Sequence, residues 1–332
     1  MFTSNSSLTG KLAFAAALAA ACAAVGAGSR EVRASIPYYQ GFETDTSGWF
    51  TQTGSSIGAA AITRYQSGDA SSPVGAINAA SGNYYAVIQN AENTYLNGSL
   101  GNGGYSAFGY PAQPAPSDST YPGAFTQSVS LYVAPTAWAP PSNTSVSAFW
   151  IDMAPTASAA AGSLAGQPLF GGAGYATGAN GGTAENDFAF NVPTAGTVQI
   201  NALGGSGSDH AITTIKQDGW YTFAMTYSKG TDGYVQEALD VYDNSGNLLA
   251  GETPQLFDLT PTNTGTSLGV PNDYLGGPNY IWFTVWQNGF ANDKLAIDNV
   301  TATPEPASLA LLGIAGAGAL LLLPRRKRRA YA

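Results

Sequence analysis

The sequence predicts an all-β protein, a jelly-roll type antiparallel β-sandwich, and three observations lead there. Forty-one glycines and nineteen prolines supply turn residues throughout, while Lys, Glu and Leu, which favour helices, are scarce between the two ends. Aromatic and β-branched residues fall in short runs where apolar and polar side chains alternate, the period of a strand with one buried face. About ten such runs recur over roughly 270 residues. Two sheets packed face to face bury strands of this kind and limit exposed edges.

The first element is a targeting segment. Lys11 precedes Leu12 to Val25, an apolar stretch too short to span a bilayer and suited to the core of a secretory signal peptide. Val32 and Ala34 place small residues ahead of a cut after Ala34, which makes residues 1–34 the signal peptide; Ala27 to Ser29 is the alternative site. Cys22, the one cysteine, lies inside this segment, so the mature chain would carry neither thiol nor disulfide. A lipoprotein signal wants a larger aliphatic residue where Ala19 stands.

The strands follow in order. Tyr84 to Gln89 is the first clear run, and in Phe125 to Val133 the apolar Phe125, Val129, Leu131 and Val133 alternate with Thr126, Ser128 and Ser130. Ser145 to Met153, Asp187 to Asn191 and Thr197 to Ala202 come next. In Trp220 to Tyr227, Tyr221, Phe223, Met225 and Tyr227 share one face. Val235, Leu239 and Val241 line another strand before the turn Asn244-Ser245-Gly246. Tyr280 to Gln287 and Lys294 to Thr301 complete the set. Pro111 to Ser119 and Ala154 to Gly182 have too little to bury and are expected as surface loops. No linker divides residues 35–302, which are taken as one domain.

The last element is hydrophobic and then basic. Ala307 to Leu323 carries no charge, and seventeen helical residues reach about 25 Å, the lower limit for crossing a hydrocarbon core. Arg325, Arg326, Lys327, Arg328 and Arg329 would stay cytoplasmic and leave the rest of the chain outside. Pro304 and Pro306 lack backbone donors and hold the strip between sheet and membrane extended.

This tail resembles the PEP-CTERM sorting signal of Gram-negative bacteria. The resemblance covers residues 303–329: the motif Pro304, Glu305, Pro306, Ala307 and Ser308, a short transmembrane helix at about 307–323 and the basic stop at 325–329. It implies an exosortase as processing partner, transient anchoring in the inner membrane, cleavage near Pro304 to Pro306, and delivery to the cell surface or extracellular matrix.

Charge narrows the partners. The whole chain carries −9, but Ser35 to Pro304 holds four basic against nineteen acidic residues, a net charge of about −15. Such a surface repels nucleic acid and anionic headgroups, and suits a secreted protein that meets cations or neutral glycans.

The start and end of the domain carry a second, shorter resemblance. Gly41-Phe42-Glu43 with Ser47-Gly48-Trp49, and Ala296-Ile297-Asp298-Asn299-Val300, are similar to the opening and closing of carbohydrate-binding and concanavalin A-like sandwiches. The resemblance implies a structural Ca²⁺ held by Glu43 and Asp298, with carbonyl oxygens completing the shell. Aromatic side chains are the other candidates for recognition, since sugar rings stack on them. Trp49, Trp220, Trp282 and Trp286 stand in apolar surroundings and are read as core. Trp138, beside Pro140 and Pro141, and Tyr105, Tyr110 and Tyr121 are read as loop residues that can meet extracellular polysaccharide.

No catalytic residues are assigned. Glu185 and Asp187 have the alternate spacing of a retaining glycanase pair, but Phe190 stands where families with that geometry place a further Glu. Glu237 and Asp240 should face opposite sides of a strand. His210, the one histidine, follows a Gly- and Ser-rich stretch, and Gly54-Ser-Ser-Ile-Gly58 has no helix after it to form a nucleophile elbow. One His and no mature Cys disfavour zinc and copper. The reading is an exported, non-enzymatic adhesion, structural or glycan-binding protein; the alternative is a secreted glycan-active enzyme with divergent catalytic residues.

Overall fold

The computed structural model describes residues 38–47, 49–51, 53–54, 58–90, 104–108, 124–138, 149–154, 187–203, 209–249, 255–260, 269–275, 281–287 and 294–304. By internal contacts the chain divides into Met1–Ala34 and Ser35–Ala332, and every described strand falls in the second unit.

Two antiparallel sheets form a sandwich. The first has nine strands. Eight of them run in the order β14 (Gln255–Asp258), β13 (Val235–Asp243), β12 (Gly219–Lys229), β7 (Phe125–Val133), β16 (Lys294–Pro304), β5 (Tyr84–Asn90), β4 (Gly58–Gln66) and β3 (Thr53–Gly54). The ninth, β1 (Tyr38–Gln40), pairs with β16. The second sheet has seven strands: β11 (Asp209–Ile215), β10 (Thr197–Leu203), β9 (Asp187–Thr194), β8 (Phe149–Ala154), β15 (Ile281–Gln287), β6 (Gly104–Phe108) and β2 (Trp49–Thr51).

Alternation in β7, β12 and β13 decides which side meets the other sheet. Val129, Leu131, Val133, Phe223, Met225, Leu239 and Val241 are buried against Phe188, Phe190, Val198 and Ile200 of the second sheet. Phe223 sits between two rings, its centroid 4.9 Å from that of Phe190 and 5.3 Å from that of Phe188. Burying each such side chain contributes about 1.5–3 kcal/mol. Gln127 shares this inward face and is buried, with neither end of its amide hydrogen-bonded.

A smaller core lies on the opposite side of the first sheet. Residues 67–83 fold over it and bury Ile77, Tyr85, Val87, Trp220 and Ala296. The Trp220 indole N–H donates to the Asn78 carbonyl at 2.6 Å, which fixes this excursion on the sheet. Trp220 and Trp49 are both buried, as expected; side chains of Trp282 and Trp286 lie outside the described residues.

The expected strands at 84–89, 125–133, 187–191, 197–202, 220–227, 235–241, 280–287 and 294–301 are all present, with shifted ends. β8 begins at Phe149; 145–148 lie outside the described residues. β1, β2, β3, β4, β6, β11 and β14 were not expected. β4 is rich in Gly and Ala, which pack poorly as strand residues, yet it pairs with β5 from Ala60 to Gln66. His210, read as following a flexible loop, stands in β11 in register with Ala202. Pairing with an established neighbour overrides weak local propensity.

Among the described residues no helix is long and apolar enough to cross a membrane. The expected signal peptide at 1–34, the expected span at 307–323 and the expected loop at 111–119 lie outside the described residues, as does all of 154–182 beyond Ala154, which closes β8.

Candidate functional site

Three features of the sandwich bear on function, and the first is where its opening and closing meet. Asp298 lies in β16 and is fully buried. Its Oδ2 accepts the Ser81 N–H at 3.1 Å, and its Oδ1 accepts the Asn299 N–H at 2.7 Å. Glu43 approaches the same turn, with Oε1 accepting the N–H groups of Asn83 at 2.9 Å and Tyr84 at 3.1 Å. Asn299 Oδ1 accepts from the Ser81 hydroxyl at 2.7 Å and the Tyr39 hydroxyl at 2.9 Å. Arg64 ties down the chain before the turn: its Nε donates to the Phe42 carbonyl at 2.5 Å, a terminal nitrogen donates to the Glu43 carbonyl, and its guanidinium lies 3.3 Å from the Tyr84 ring centroid.

The backbone here is held in an unusual form. Phe42 (φ 54°) and Asn299 (φ 47°) are the two non-glycine residues with positive φ among the described residues. Such conformations persist where surroundings over-determine them. Burial pushes the Asp298 carboxyl up to about 7, and the nearby Glu43 charge acts in the same direction, against the N–H groups of Ser81, Asn299 and Ala80. A buried carboxylate next to a second carboxylate is a place where a cation would be favourable. Oxygen donors of this hardness suit Ca²⁺. Among the described residues there is no group of three or more His, Cys, Asp or Glu to hold a metal, so backbone carbonyls or water would have to supply most of a shell.

The second feature is a largely half-buried polar patch on the first sheet, on the side away from the inter-sheet core and shared with the smaller core around Trp220; Ser130 within it is buried. The inward alternation of β7 and β12 leaves Thr126, Ser128, Ser130, Thr222 and Thr226 there, joined by Thr301 of β16. These hydroxyls pair across strands: Thr126 with Thr226 at 2.8 Å, Ser128 with Thr301 at 2.7 Å and Ser130 with Thr222 at 3.0 Å. Each pair consumes one O–H between its members and leaves one donor and several acceptor sites. Aromatic side chains border the face. Tyr132 and Trp220 close one end with centroids 5.6 Å apart. Tyr39, 60% exposed, is in register with Thr301, and Tyr242 is in register with Thr222. Asp240, in register with Ala224, has its carboxyl raised above the usual range by burial. No Lys or Arg stands in these rows.

The third feature is the end of β16. Thr303 is in register with Thr126, and Pro304 with Phe125, so the final strand ends on the first proline of the Pro304 to Ser308 stretch. The rest of the motif, Glu305, Pro306, Ala307 and Ser308, lies outside the described residues, as do Arg325, Arg326, Lys327, Arg328 and Arg329.

The expected aromatic set is not assembled by the described residues. Trp138 is 8% exposed and packs in the inter-sheet core, which corrects its reading as an exposed loop residue. The turn that carries it folds back, with the N–H groups of Ala137 and Trp138 both reaching the Ala134 carbonyl. Tyr105 belongs to β6 rather than a loop, in register with Phe50 and Thr284. Tyr110 and Tyr121 lie outside the described residues. Glu237 is buried and inward-facing whereas Asp240 lies on the opposite face, as their odd spacing requires. Asp187 opens β9 and Phe190 is buried, while Glu185 lies outside the described residues. Gly58 opens a strand and no helix.

These registers define the class: an all-β protein built as an antiparallel two-sheet sandwich. No family model matches the chain, and no curated protein matches it. Among solved structures it is similar to a carbohydrate esterase of Shiga toxin-encoding bacteriophage phi24B, at 10% identity over 81% of this chain and 98% of that one, with a TM-score of 0.43. It is also similar to endo-β-1,4-glucuronan lyase from the fungus Trichoderma reesei, at 8% identity over 80% and 94%, with a TM-score of 0.42. A third is the globular domain of T. cruzi calreticulin, at 10% identity over 86% and 94%, with a TM-score of 0.37.

Proposed function

We propose that this is an exported cell-surface or exopolysaccharide-matrix protein, sorted by an exosortase through Pro304 to Ser308 and the span and basic stop that follow. Its sandwich, of jelly-roll type, serves as a non-enzymatic adhesion, structural or glycan-binding module. The observation that carries the glycan-binding part is the hydroxyl face bordered by Tyr39, Tyr132 and Tyr242. Paired hydroxyls offer donors and acceptors at once, which matches a polyhydroxylated ligand. Aromatic side chains at the border offer faces on which sugar C–H groups stack. The absence of cationic side chains from these rows, and the acidity of the domain, favour a neutral chain over a polyanion.

Glu43 and Asp298 are assigned to a structural Ca²⁺. The ion would neutralise the buried Asp298 and join the opening of the domain, the turn at 80–84 and the closing strand, with no direct part in glycan contact.

A polysaccharide pull-down with the exported chain, with and without Ca²⁺, tests this function. Retention without released sugar supports a binding module, and Tyr39→Ala with Tyr242→Ala should weaken retention by about 2- to 10-fold per residue. Release of oligosaccharides would overturn the non-enzymatic reading in favour of a glycan-active enzyme. Neither retention nor release would leave adhesion or structure as the role.

A further inference from the structure

The sorting segment is joined to the sandwich without a spacer, and this has a consequence for its processing. β16 is held on both sides near its end. On one side Thr301, Ala302, Thr303 and Pro304 are in register with Ser128, Gln127, Thr126 and Phe125 of β7. On the other, Val300, Thr301 and Ala302 are in register with Gln40, Tyr39 and Tyr38 of β1. Val300 and Ala302 point into the inter-sheet core, 2% and 0% exposed. Phe125, opposite Pro304, is 1% exposed and stacks on Tyr227 with ring centroids 5.2 Å apart.

A peptide bond must enter a protease or transpeptidase cleft in extended form, with residues on both sides of it free of other pairing. Reaching the bond between Pro304 and Glu305, or any bond before it, requires β16 to be peeled from β7 and, from Ala302 backwards, from β1 as well. That would expose Val300 and Ala302 and leave the backbone groups of two neighbouring strands without partners. Pro304 has no N–H and marks the end of the ladder.

We propose that processing cuts beyond the Pro304–Glu305 bond, and that the folded sheet sets this limit by holding Pro304 and every residue before it in β16. The inference rests on the sorting reading given above. In the step itself, the C–N bond of one peptide beyond Pro304–Glu305 breaks. Its acyl carbon passes to water or to an acceptor amine or hydroxyl, and the departing membrane segment takes the proton and leaves with a free amine. The mature domain thus keeps Pro304 in its sheet, beside the strand that begins at Tyr38.

Mass spectrometry of the exported protein, both intact and as its C-terminal peptide, tests the limit. The expected C-terminus is Glu305 or a later residue; a mature chain ending at Pro304 or earlier would overturn the proposal. A full-length, uncut protein would overturn the sorting reading and, with it, the assignment of the cut. The sheet's protective role is then decided separately by digesting the detergent-solubilised full chain with carboxypeptidases that can remove proline. Trimming should stop at Glu305 in the folded protein and run through in a heat-unfolded control. Trimming of the folded protein past Val300 would show that the sheet gives no protection and would overturn the inference.

Discussion

Glu43 and Asp298, from the first and last parts of the sandwich, hold one turn between them: Glu43 takes the N–H groups of Asn83 and Tyr84, and Asp298 takes that of Ser81. Gly82 lies at the middle of this grip with φ +63°, and a Cβ built there would come within 2.2 Å of Glu43 Oε1 and 2.6 Å of its carboxyl carbon. Gly82→Ala should therefore destabilise the domain by about 1–3 kcal/mol, through left-handed backbone strain and displacement of Glu43. Urea unfolding of the variant beside the native chain measures this; an unchanged midpoint would mean that the turn is not held as described.

Asp298 gives the clamp a pH dependence whose sign can be worked out. Its carboxyl is held at about 7 when folded, above the ordinary 3.8, so the folded state binds the proton more tightly than the unfolded chain does. In EDTA, the stability from this group is full below about pH 4 and is lost as the pH rises through about 7, by on the order of 1–4 kcal/mol. Asp298→Asn should flatten that slope. A bound Ca²⁺ favours the charged form, so adding it at neutral pH should raise the melting temperature, and by more than at pH 5. A melting temperature indifferent to both EDTA and Ca²⁺ would remove the metal from the clamp.

Gln127 offers a test of the interior. Its amide is buried between Met225 and Ala302 of the flanking strands with neither polar end satisfied. Replacing an unsatisfied buried amide by an apolar group of similar shape removes a desolvation cost. Gln127→Met should raise stability by about 1 kcal/mol in chemical denaturation. A loss of similar size would indicate that buried water satisfies the amide.

The proposed address is tested at Glu305. Glu305→Ala should leave uncleaved protein in the inner-membrane fraction, detected by its retained basic C-terminus. Release at the native rate would count against exosortase recognition of Pro304 to Ser308.

Much of the fold was legible because alternation is a local property. Phe125 to Val133 and Trp220 to Tyr227 alternate apolar and polar residues along the chain, and both strands form where expected. The polar halves of these same strands were also visible, but their pairing was not: Thr126 meets Thr226, and Ser128 meets Thr301, only through the register of three strands distant in sequence. β4 was missed because its Gly and Ala residues carry little strand preference of their own. Trp138 was misplaced because neighbouring prolines signal a loop without saying which way the loop's side chain turns.

The all-β class, the alternation of the central strands, the acidity of residues 35–304 and the order of proline motif, apolar run and basic cluster in the tail could all be read along the chain, since each depends on composition or on near neighbours. The meeting of Glu43 with Asp298 at one turn, the burial of Trp138, the hydroxyl face and the sealing of Thr303 and Pro304 into the sheet were decided by tertiary structure alone. Register and sheet order bring together residues that no local pattern relates, and in a sandwich of this kind those pairings determine which groups face water, which are buried and which bonds stay within reach.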